Sequence, residues 1–101
     1  MSGDPLFRMT VVDVFTIKGR GTVVTGQIES GTIKVGDELE IVRGSGSRQK
    51  VVVAGLEMFR KQQPEAAAGD NVGVLLKNVG KADVAHGDVL TAFVSDFTWK
   101  P

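Results

Sequence analysis

A chain of 101 residues, 42% hydrophobic and 24% charged, has the size and composition of one folded domain with a modest core, which excludes a disordered chain. Twelve basic and twelve acidic residues cancel to a net charge of +0, which excludes bulk attraction to phosphate backbones but not a small, specific nucleic-acid site. With no cysteine in the sequence, disulfides, thiol catalysis and thiolate zinc sites are excluded. The N-terminal stretch lacks the charged-then-apolar design of a signal peptide. No apolar run approaches the ~20 residues that a membrane helix needs. The expectation is a soluble, cytoplasmic protein without a membrane partner. One domain is expected over residues 1–101, with a core at about 6–93 and a tail at 94–101.

β-signals dominate the chain in order. Thr10 to Ile17 is rich in β-branched and aromatic residues and predicts a strand. Lys18-Gly19-Arg20-Gly21 predicts a turn and Thr22 to Ile28 a second strand, in which Gly26 marks a bulge or a close backbone approach. After the Ser30-Gly31 turn, Ile33-Lys34-Val35 leads through Gly36-Asp37 into an alternating strand at Glu38 to Val42. Gly44 to Ser47 reads as a solvated hairpin tip. Gln49 to Met58 returns as a long strand with Gly55 as a second bulge signal, and residues 60–69, broken by Pro64, read as a loop. Asn71 to Lys77 is a strand, Lys81 to His86 a single helical turn, and Asp88 to Phe93 the last strand. Gly36-Asp37, Gly69-Asp70 and Gly87-Asp88 each put turn chemistry before a strand. Six or seven short strands without sustained helical periodicity predict an all-β fold, a small closed antiparallel barrel. Phe93, Phe97 and Trp99 crowd the C-terminal end, either to close the barrel or as an apolar patch for a partner.

Few motifs carry chemistry. The run Gly19 to Gly26 superficially resembles a phosphate loop, but Val24 stands where a dinucleotide fingerprint needs glycine, and no Gly-Lys-Ser/Thr follows. A hairpin turn explains it, and no GTP hydrolysis is expected. His86 is the single histidine, and one histidine without cysteine builds no typical zinc site. No metal, cofactor or catalytic residue is expected, and the chain does not read as an enzyme. Glu57-Met58-Phe59-Arg60-Lys61 is the one constellation able to read a nucleotide. The carboxylate accepts from an exocyclic amine, the ring stacks, and the guanidinium holds a phosphate or carbonyl. On spacing alone the same run reads more simply as an alternating edge strand with solvated charges.

Several of these blocks resemble domain 2 of translation elongation factor Tu. They are Asp13-Val14-Phe15, Gly19 through Gly26, Gly31 through Asp37, Gly55 through Lys61, Ala68 through Leu76, and His86 through Leu90. The likeness runs over roughly residues 6–93, with a rewritten hairpin tip at 43–50. It implies a translation-factor domain 2 barrel, here without a GTPase domain, that contacts the 3′ aminoacyl end of tRNA, ribosomal RNA, or both. It further implies an adenine pocket of Ile17, Gly19, Val23 and Leu75 with Glu57 against the base, and Arg60 near the terminal ribose and ester. Asp13, Phe15, Phe59 and Asn71 would border the aminoacyl group, and the Gly19-Arg20-Gly21 turn would face ribosomal RNA. Val12 stands where the family often carries a glutamate, and the tail from Val94 does not resemble a linker to a third domain. The alternative function is a protein-interaction module that docks a translational GTPase or another barrel.

Overall fold

The computed structural model describes residues 6–92. Ten strands follow in order: β1 (Arg8–Thr10), β2 (Asp13–Ile17), β3 (Gly21–Ser30), β4 (Thr32–Lys34), β5 (Glu38–Val42), β6 (Arg48–Met58), β7 (Lys61–Gln62), β8 (Glu65–Ala67), β9 (Asn71–Lys77) and β10 (Val89–Ala92). A single 3₁₀ turn spans Lys81–Asp83. The expected closing role of Phe93, Phe97 and Trp99 falls outside the described residues.

Six strands form the closed ring. β1, β10, β5, β6, β9 and β3 pair antiparallel in that order, and β3 pairs back onto β1. β2 lies along the other half of the same edge of β3, with Phe15 opposite Val23 and Asp13 opposite Thr25. The stretch expected as one strand from Thr10 to Ile17 is therefore two strands. The break at Val11-Val12 has a hydrogen-bond cause: the Val11 N–H donates to the Asp88 carbonyl on one side, and the Val12 N–H to the Thr25 carbonyl on the other. Gly26 faces this bend, and a Cβ there would fall onto the Thr10 carbonyl oxygen. The expected close backbone approach is thus real.

Alternation along the strands decides inside from outside. Val24 and Ile28 of β3, Leu39 and Ile41 of β5, Val51, Val53 and Leu56 of β6, and Val72, Val74 and Leu76 of β9 all point inward and are buried. Each such side chain contributes about 1.5–3 kcal/mol on removal from water. Between Val53 and Gly55 the register of β6 against β9 slips. This is the bulge signalled by Gly55, and it turns Ala54 and Gly55 away from the core while keeping Val53 and Leu56 in it.

The three Gly-Asp pairs close three equivalent turns. In each, the aspartate backbone N–H donates to the carbonyl three residues earlier, as Asp37 to Lys34, Asp70 to Ala67 and Asp88 to Ala85. The same aspartate's carboxylate accepts from the backbone N–H of that earlier residue at 2.8–2.9 Å. The glycines at the third position have φ of 98°, 94° and 92°, the left-handed value that a type II turn requires there. Asp88 is also paired with Arg43 at 2.9 Å, and the Arg43 guanidinium donates to the Ala82 carbonyl. That arrangement ties the base of the 43–47 hairpin tip to the segment before β10.

Residues 60–69, expected as a loop, contain β7 and β8. β8 pairs with β4 and buries Ala66 opposite Ile33. β7 pairs with the end of β6, with Met58 opposite Lys61, and so extends one wall of the barrel outward.

Candidate functional site

The outward faces of β2, β3, β9 and β6 form a continuous surface. Register sets its rows: Phe15, Val23, Leu75 and Gly55 lie across the four strands in one row, and Asp13, Thr25, Gly73 and Glu57 in the next. An open groove of about 600 Å³ lies over these rows, with Phe15, Ile17, Val23, Phe59, Arg60 and Asn71 among its lining residues and Glu57 at its side. A smaller hollow of about 120 Å³ adjoins it, lined by Ile17, Arg20, Val23, Glu57, Gly73 and Leu75. The two share Ile17, Val23, Glu57 and Gly73, so they are one cleft with a narrow end.

The β6–β7 hairpin forms one lip of the cleft. Only Phe59 and Arg60 lie between the paired Met58 and Lys61, and both have positive φ, 54° and 65°. These are the angles of a type I′ turn, where Asn-Gly is the usual occupant. A non-glycine residue in this region costs roughly 1–2 kcal/mol. The turn leaves the Phe59 ring 90% exposed. The side chains of Glu57 and Arg60 have no ion-pair partner among the described residues. The cleft therefore offers an apolar floor and, unpaired among the described residues, the Glu57 carboxylate, the Arg60 guanidinium on its lip and the Arg20 guanidinium at its narrow end, a combination suited to a flat, polar-edged ligand.

Of the residues singled out in the sequence, Phe15, Ile17, Val23, Glu57, Phe59, Arg60 and Asn71 line the groove, and Leu75 and Arg20 line its narrow end. Asp13, Gly19 and Gly21 line neither part. Asp13 is exposed on the outermost strand, Gly19 sits in the turn with φ 78°, and Gly21 packs against the Leu76 carbonyl. Met58, within the run singled out in the sequence, also lines the groove, as do Thr25, Gln27 and Gly73, to which sequence reading assigned no role. For Thr25, Gln27 and Gly73 the signal was strand parity, since each alternates with a buried residue of β3 or β9. Among the described residues no group of three or more His, Cys, Asp or Glu could hold a metal ion. No helix there is long and apolar enough to cross a membrane.

The family described as elongation factor Tu domain 2 matches residues 21–91. The chain belongs to that family. The elongation factor Tu domain 2 match spans β3 to β10 and so includes Val23, Glu57, Phe59, Arg60, Asn71 and Leu75, while Asp13, Phe15 and Ile17 precede it. The six-stranded ring is the translation-factor domain 2 barrel, a non-catalytic domain in elongation factor Tu, and ties the chain to the translation machinery.

Proposed function

We propose that this elongation factor Tu domain 2 barrel is a binding module, not an enzyme, that holds the 3′ aminoacyl end of a tRNA in the cleft. The observation carrying the proposal is the gathering of Ile17, Val23, Leu75 and Glu57 around the cleft's narrow end, with Arg60 and Phe59 on its lip. In this reading the terminal adenine lies on the aliphatic floor and Glu57 accepts from its exocyclic amine. Arg60 reaches the ribose and ester, while Phe15, Phe59 and Asn71 border the aminoacyl group with Asp13 at the outer edge. The Gly19-Arg20-Gly21 turn beside the narrow end is the proposed contact with ribosomal RNA.

Stacking contributes roughly 1–3 kcal/mol and a charge-assisted hydrogen bond roughly 1.5–3 kcal/mol. Association costs offset much of this, which leaves a Kd on the order of 0.1–1 mM. Titration of a short CCA-ended RNA into isotope-labelled protein is expected to shift the amides of residues 15–23, 57–60 and 71–75. Glu57→Ala is expected to remove those shifts while the barrel stays folded. The exposed apolar side chains of Val12, Phe15, Ile17 and Phe59 around the same cleft favour a second reading, the docking of a translational GTPase or another barrel. A titration in which the RNA perturbs nothing rejects the first reading in favour of the second.

A further inference from the structure

We infer that Gly73 and Gly55 are glycine to keep the cleft open, and that they set the thickness of ligand it admits. The barrel's other strand glycines have backbone reasons. A Cβ at Gly26 would meet the Thr10 carbonyl, and one at Gly21 would lie 2.6 Å from the Leu76 carbonyl oxygen, where φ is also 136°. Neither reason applies at Gly73, nor at Gly55, although Gly55 sits at the β6 bulge. Neither has positive φ. A Cβ at Gly73 would meet nothing closer than the Val23 Cγ1 at 3.4 Å, and one at Gly55 nothing closer than Leu75 carbons at 3.7 Å. These are ordinary van der Waals contacts, so the fold has room for a side chain at both sites. The atoms that such a side chain would touch, on Val23 and Leu75, are themselves cleft lining.

A strand interior loses stability when it carries glycine in place of alanine. Two such positions, in adjacent rows of neighbouring strands and both opening into one cleft, point to a requirement of the occupant. Gly73 lies in register between Thr25 and Glu57, with the Val23 side chain nearest to where its Cβ would stand, in the shared floor of both parts of the cleft. A bare backbone there lets a planar group lie flat against the sheet, where a Cβ would lift it away from the aliphatic side chains and tilt its edge off the carboxylate. The clearance follows from the geometry alone. That the planar group is the terminal base of a tRNA rests on the function proposed above.

The test compares wild type with Gly73→Ala, Gly55→Ala and, as a fold control, Gly26→Ala. Thermal unfolding reads the cost to the barrel. Binding is read with CCA-ended RNA and, independently of any nucleic acid, with the dye 1-anilinonaphthalene-8-sulfonate, followed by methyl shifts of Val23 and Leu75. Gly73→Ala and Gly55→Ala are expected to raise Tm by about 2–8 °C, whereas Gly26→Ala lowers it. Both probes are expected to bind Gly73→Ala at least about fivefold more weakly, with a smaller loss for Gly55→Ala. If the dye follows this pattern and the RNA binds neither wild type nor variant, the clearance stands and the tRNA reading fails. The inference is overturned if Gly73→Ala and Gly55→Ala destabilise the barrel, if both probes bind all forms equally, or if neither probe moves the Val23 and Leu75 methyls.

Discussion

Replacing Phe59-Arg60 by Asn-Gly tests whether the lip of the cleft is held in an unfavourable backbone state. Both residues lie in the left-handed region, with φ of 54° and 65°, at roughly 1–2 kcal/mol each for an ordinary side chain. Asn tolerates that region, and Gly enters it freely but gains freedom in the unfolded chain. The net relief is therefore about 1–2 kcal/mol for the pair. No packing is lost in exchange, because Phe59 is 90% exposed and Arg60 is also exposed. The double variant is expected to unfold at a Tm higher by about 4–16 °C, as followed by circular dichroism, with an unchanged slope in a urea titration. The same variant is expected to lose groove binding, since it deletes the ring and the guanidinium. An unchanged or lower Tm would show that the turn carries no strain and that the reasoning from its backbone angles is wrong.

Two further outcomes follow from the barrel. The Thr22 hydroxyl is buried and donates to the Val79 carbonyl, so Thr22→Val orphans that carbonyl and is expected to cost about 1–3 kcal/mol in urea unfolding. The Glu29 carboxyl is held below its ordinary value of 4.5, chiefly by the Thr10 hydroxyl, with the Arg8 guanidinium adding to the effect and partial desolvation opposing it. A depressed folded value stabilises above 4.5, and that contribution disappears as pH falls through the lower folded value. The Tm difference between wild type and Thr10→Val is thus expected to be full near neutrality and to shrink below pH 4.5. A difference that grows on acidification would contradict the assignment.

Much of the architecture was legible because local chemistry and tertiary need agree. Alternation fixed β5 and β9, and the Gly-Asp pairs announced three turns whose aspartates then close back on the backbone. The missed elements are those whose cause is not local. β8 reads Glu-Ala-Ala and has no strand preference of its own; it is extended because β4 offers it a partner and Ala66 a place against Ile33. The β6–β7 turn has neither glycine nor asparagine to signal it. The break after Thr10 depends on acceptors at Thr25 and Asp88, far along the chain. For the site, residue type exposed Glu57, Arg60 and the aromatics, while Gly73 and Thr25 carried no chemical signal and became visible only through register.

Closure of the ring has a consequence for the order of folding. β1 contributes three residues, and they pair with β10 as Arg8 to Thr91, Met9 to Leu90 and Thr10 to Val89. Every other ring pair joins strands closer in sequence, whereas this seam joins the two ends of the described chain. Closing so long a segment carries the largest loop entropy of any contact in the barrel, and such distant pairings form late in folding. Met9 and Leu90 are nevertheless completely buried. By the same reasoning the short-range β5–β6, β6–β9 and β1–β3 pairs are expected to form early and the β1–β10 seam to close the core last.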